Sequence, residues 1–110
     1  MSVIDMNAEQ FRDAVQGETP VVVDFWAPWC TYCRRIGPAF DKIAGERQGL
    51  VFAKVNIDDE PALMEAEKIE VIPTLVVYCR GERLGSVTAP GSKSAVDQFI
   101  DETLAKAGRS

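Results

Sequence analysis

The chain has 110 residues, 46% of them hydrophobic and 26% charged, with a formal net charge of −5 and no histidine. That length serves one hydrophobic core and not two, and the acidic balance argues against nucleic acid or an anionic membrane as a main partner. Without histidine there is no Ser-His or Cys-His nucleophile, and three cysteines are too few for an all-cysteine zinc site or a disulfide framework.

The opening "MSVIDMNAEQF" carries acids and lacks an apolar stretch of the secretion-signal kind, so the expected compartment is the cytoplasm. Residues 7–16 read as a first helix: Asn7 with Gln10 resembles a capping box, and Phe11, Ala14 and Val15 share a face. "VVVDFWA", 21–27, is an unbroken apolar run suited to a strand covered on both faces. From 31 to 47 a helical stripe of Ile36, Phe40, Ile43 and Ala44 meets Gly37-Pro38, where a bend is expected. A second inner strand follows at 50–57. A helix is expected from Asp58 to Ile69, with Pro61 in its first turn and Leu63, Ala66 and Ile69 turned inward. "PTLVVYC", 73–79, is a third strand, and Arg80-Gly81-Glu82 turns it into "RLGSVT" as a hairpin. A last helix over 94–106 carries Val96, Phe99, Ile100 and Leu104. Strands alternating with helices, then a hairpin and a final helix, predict an α/β fold: a central mixed sheet flanked by helices on both faces.

Two of the three cysteines, Cys30 and Cys33, stand where the first apolar strand gives way to a helix. A thiol at a helix start faces free backbone N–H groups and the positive end of the dipole, which favour its thiolate. A sulfur three residues on, one turn later, lies within reach. One sulfur can then attack a substrate disulfide while the other resolves the mixed disulfide. The competing readings are a structural disulfide, which so short a loop rewards poorly, and half of a metal site, for which ligands are missing. Asp24 interrupts the buried run "VVVDFW". Burial should raise its pKa and leave it able to exchange a proton near neutrality, unless it merely caps a backbone group. Lys54 breaks the next strand in the same way, and a side chain snorkelling to the sheet end would explain it equally well. Cys79 reads as a small buried hydrophobe, Trp26 as packing beneath the loop, and Arg34 and Arg35 as a solvated helix face.

"VVVDFWAPWCTYCRRIGP" followed by "VIPTLVVY" and "GERLGSV" resembles a bacterial-type thioredoxin over nearly the whole chain, which would make residues 1–110 one thioredoxin domain. The resemblance implies the thioredoxin fold and reduction of protein disulfides through a Cys30–Cys33 dithiol-disulfide cycle. No bound cofactor or metal is implied, and an NADPH-dependent thioredoxin reductase would restore the dithiol. It implies a monomer whose partners are that reductase and disulfide-containing proteins. Cys30 becomes the attacking thiol and Cys33 the buried resolving thiol. Asp24 becomes a proton-transfer group, with Lys54 as its partner. A cis Ile72–Pro73 bond would face Cys30 and leave the Ile72 backbone free for an extended substrate, with Trp29 and Ala89 completing that surface.

Several residues depart from the family pattern. Thr31-Tyr32 replaces the usual Gly-Pro between the cysteines, Ala89 stands where a glycine is usual, and Glu70-Val71 adds an acid and a branched side chain before Ile72. If the Tyr32 N–H and the Thr31 hydroxyl point at Cys30, they make the couple more oxidising. The interior tyrosine also raises the alternatives of a glutathione-linked or oxidising relative. A redox-independent binding module on the same fold is the other alternative.

Overall fold

The computed structural model describes residues 3–108. In chain order the elements are β1 (Ile4–Asp5), α1 (Ala8–Val15), β2 (Val21–Trp26), α2 (Thr31–Glu46), β3 (Val51–Asn56), α3 (Pro61–Ala66), β4 (Thr74–Cys79), β5 (Glu82–Thr88) and α4 (Lys93–Lys106). The five strands form one sheet in the order β1-β3-β2-β4-β5. β2 runs parallel to β3 and antiparallel to β4, β1 is parallel to β3, and β5 is antiparallel to β4.

Alternation along the inner strands builds two cores, because successive side chains leave a strand on opposite faces. Val21, Val23 and Phe25 join Val76 and Tyr78 under Phe11 and Val15 of α1 and Leu63 of α3. Val22, Phe52, Leu75 and Val77 lie beneath Ile36, Phe40 and Ile43 of α2 and Val96 and Ile100 of α4. The mixed sheet covered on both faces is therefore as expected, and Asp24 falls on the Val22 face.

Local signals set the element ends. The Asn7 side chain accepts the Gln10 N–H at 2.8 Å and the Gln10 side chain accepts the Asn7 N–H at 2.9 Å, a complete capping box. The β4–β5 hairpin turns through Arg80 and Gly81, both with positive φ (54° and 77°), as a two-residue type I′ turn requires. α2 stays one helix across Gly37-Pro38. At its far end Arg47 bonds Asp97 at 3.0 Å and Asp101 at 2.9 Å, while Lys93 bridges Glu46 at 2.9 Å and Asp97 at 3.0 Å, fastening α2 to α4.

Two expectations change. β1 has no counterpart in the sequence reading, since two residues carry no periodicity; it exists because Met6 N–H and its neighbours find the open edge of β3, with Met6 N donating to Lys54 O at 2.9 Å. α3 is shorter than the expected 58–69 helix. The Asp58 N–H donates to the Asn56 side chain and those of Asp59 and Glu60 to the Asn56 carbonyl instead, and the residue before Pro61 is kept from helical geometry. Beyond Ala66 the chain reaches a left-handed Lys68 (φ 57°), so Ala66 lies exposed while Leu63 and Ile69 are buried.

Candidate active site

β2 delivers the chain to one end of the sheet, where Ala27-Pro28-Trp29 turns it into α2. Cys30 N donates to Ala27 O at 3.1 Å, and Cys30 becomes the N-cap of α2 with extended backbone angles. Its Sγ accepts the Cys33 N–H at 3.2 Å, which satisfies one of the orphan donors of the first turn. The same Sγ lies 4.0 Å from the Ile72 carbonyl oxygen. All three cysteines are free thiols. Both are buried, Cys30 at 9% exposure and Cys33 at 3%, so the first is the more accessible of the two. Burial, then its contact with Cys30, pushes the Cys33 thiol up to about 12, with Asp24 adding to the rise.

Asp24 is 1% exposed, and its Oδ1 has no hydrogen-bond partner among the described residues. Desolvation raises its carboxyl to about 7 against the pull of Lys54, with Asp41 adding a smaller upward push. Lys54 is its register neighbour on β3 but makes no ion pair with it: the ammonium sits 4.1 Å from the centre of the Trp26 ring. The lysine thus acts on Asp24 through its field alone, and its own contact is a cation–π one.

Trp29 is 66% exposed and donates its indole N–H to Asp58 Oδ1 at 3.1 Å, an anchor between residues 29 positions apart that no local pattern signals. The Ile72–Pro73 bond is cis, as the resemblance implied, and neither polar group of the Ile72 backbone has a backbone partner among the described residues. Ala89 N donates to Pro73 O at 2.8 Å, bringing the β5–α4 segment alongside. Ala89 holds φ at +48°, where a Cβ is unfavourable. Ala89→Gly is therefore expected to raise unfolding stability by about 1 kcal/mol, read as a higher urea midpoint at constant m-value.

Thr31 and Tyr32 do not play the part expected of them. The donor to Cys30 is the N–H of Cys33, the third helical residue, rather than that of Tyr32. A proline at 32 would remove no hydrogen bond to that sulfur. Thr31 is exposed, and the Tyr32 hydroxyl points away from the sulfurs to donate to the Pro90 carbonyl at 2.8 Å. Cys79 is buried at the end of β4, donating to the Glu18 carbonyl at 3.2 Å. Among the described residues no group of three or more His, Cys, Asp or Glu is placed to hold a metal ion, and no helix is long and apolar enough to cross a membrane.

The thioredoxin family model matches residues 2–102. The chain belongs to the thioredoxin family. It is 35% identical to a thioredoxin of Porphyra purpurea over 106 residues, covering 94% of this chain and 99% of the relative. It is 41% identical over 88 residues to the chloroplastic M-type thioredoxin of Zea mays, covering 79% of this chain and 53% of that one. Thioredoxin of Plasmodium falciparum superposes with a TM-score of 0.84 at 30% identity, covering 91% of this chain and 98% of the other. That of Trypanosoma brucei brucei gives a TM-score of 0.86 at 29% identity, covering 94% and 92%. The five-stranded sheet and its four helices are thus the thioredoxin fold, with Cys30 and Cys33 close together at the start of α2.

Proposed function

We propose that the protein is a thiol-disulfide oxidoreductase that reduces protein disulfides with Cys30 and Cys33. The observation that carries this reading is the pair itself: two free thiols one helical turn apart, the first on a helix N-cap and the more accessible, the second more deeply buried. The Cys30 thiolate attacks one sulfur of a substrate disulfide, forming a mixed disulfide and expelling the other sulfur as a thiolate. Cys33 gives up its proton and attacks the Cys30 sulfur. The bond to substrate breaks, the substrate leaves as a dithiol, and two electrons have passed from Cys30 and Cys33. Asp24, with a carboxyl near neutrality and a charge felt at Cys33, suits the role of proton acceptor in that second step. Trp29, next to Cys30 in the chain, offers an exposed ring and Ile72, with its carbonyl 4.0 Å from Cys30 Sγ, offers backbone groups to an extended chain, while Pro73 and Ala89 are bonded to each other alongside.

In this reading residues 1–110 act as one domain, as a monomer, in a reducing compartment. An NADPH-dependent thioredoxin reductase restores the dithiol. Reduction of insulin disulfides tests the coupling: turnover is expected with NADPH and a thioredoxin reductase, and little with glutathione and its reductase. Preference for the glutathione arm would assign the protein to the glutathione-linked alternative, and inactivity in both would leave a binding module. Alkylation with iodoacetamide at pH 7 is expected to modify Cys30 first by a wide margin, because burial and the contact with Cys30 keep Cys33 a neutral thiol there and Cys30 is the more accessible. Equal labelling of the two would remove the assignment of roles.

A further inference from the structure

Tyr32 occupies a position between the cysteines, yet its hydroxyl is spent on a segment 58 residues away, donating to the Pro90 carbonyl at 2.8 Å. A half-buried phenol needs such an acceptor, and the Arg35 guanidinium 5.9 Å from the ring centre steadies its orientation. The segment it grips is the one that flanks Cys30. Ala89, next to Pro90, donates its N–H to Pro73 O at 2.8 Å, and Ile72, next to Pro73, has its carbonyl 4.0 Å from Cys30 Sγ. Ala89 is also held at a φ of +48°, a conformation that alanine leaves unless neighbouring bonds retain it.

We infer that Tyr32 is a positioning residue for substrate: its hydroxyl clamps the Ala89–Pro90 segment to the redox helix and keeps the groove wall beside Cys30 ready for an extended, disulfide-bearing polypeptide. The inference rests on the disulfide-reductase reading. A small disulfide, which needs only the sulfur, gains nothing from the clamp.

Tyr32→Phe removes one oxygen and keeps the ring. One net hydrogen bond corresponds to about five-fold in an equilibrium. Amide hydrogen exchange at Ala89 is therefore expected to quicken about five-fold, and KM for insulin to rise by a similar factor at unchanged kcat. The rate constant with a small aromatic disulfide and the reduction potential against a glutathione buffer should hold. Unaltered exchange at Ala89 would overturn the clamp. Faster exchange with an unchanged KM for insulin would overturn its role in substrate positioning. Equal losses with insulin and the small disulfide, or a shifted potential, would place Tyr32 in the chemistry at Cys30 instead. If the parent protein reduces neither disulfide, the reductase reading fails, while the exchange measurement still decides whether the clamp exists.

Discussion

Cys30→Ser reduces turnover of protein disulfides to the buffer background, whereas Cys33→Ser performs the first half of the cycle and stops. The difference follows from position. Cys30 is the more accessible sulfur, capped by the Cys33 N–H at 3.2 Å, and a serine oxygen there attacks no disulfide at a useful rate. Cys33 lies beneath with its thiol pushed up to about 12, so it acts only when the mixed disulfide has formed next to it and its proton can be taken. Without it the substrate stays bonded to Cys30. Incubation of Cys33→Ser with a disulfide protein should therefore yield one adduct, seen by mass spectrometry and released by dithiothreitol. Peptide mapping should place the bond at Cys30. An adduct accumulating on Cys33 in the Cys30→Ser protein would reverse the roles.

Asp24→Asn changes stability and rate in opposite directions. The carboxyl titrates near 3.8 in the unfolded chain and at about 7 in the fold, so the unfolded state releases its proton first as pH rises. The fold is favoured below pH 4, and that advantage drains away between about pH 4 and 7 as only the unfolded state ionises. Above pH 7 both states are charged and the loss is complete. At 1.4 kcal/mol for each pH unit between the two values, this pH-dependent loss reaches about 4 kcal/mol. Urea unfolding at pH 8 should show Asp24→Asn more stable than the parent, with the gap shrinking by up to that amount toward pH 4. Removing the proton acceptor should meanwhile slow release of reduced substrate, and the inflection near pH 7 in single-turnover rates should vanish. Stability gaps that do not change with pH would mean that Asp24 has an ordinary carboxyl. Unchanged single-turnover rates from pH 6 to 9 would leave it a purely structural residue.

Legibility in the sequence divides along the range of the interactions. The apolar run at 21–27 and the stripe Ile36-Phe40-Ile43 announce β2 and α2 because a strand's or helix's period is written in adjacent residues. The Asn7–Gln10 cap and the Arg80-Gly81 turn are equally local. Asp24 stood out because a charge inside an apolar run needs no structure to look costly. What escaped the reading depends on elements meeting in space. Asp58 reaches Trp29 and Pro90 reaches Tyr32 only when the loops between elements gather at one end of the sheet. Lys54 and Asp24 sit side by side in register, yet the length of the lysine side chain allowed the ammonium a different neighbour, the face of Trp26.

α2 is held at its tail by Arg47, bonded to Asp97 and Asp101 of α4, and by Glu46, bonded to Lys93 of α4, and carries its thiols at its head. The helix is 16 residues long, so the two ends are separated by roughly 24 Å. At that separation substitutions at the head and at the tail add independently. Selection can therefore revise the two residues between the cysteines without renegotiating the joint that keeps the helix in place. A lineage gains from this a dial for partner choice that turns without loosening the joint between α2 and α4, and a protein engineer inherits the same freedom at position 31, and at position 32 where a hydroxyl still reaches Pro90.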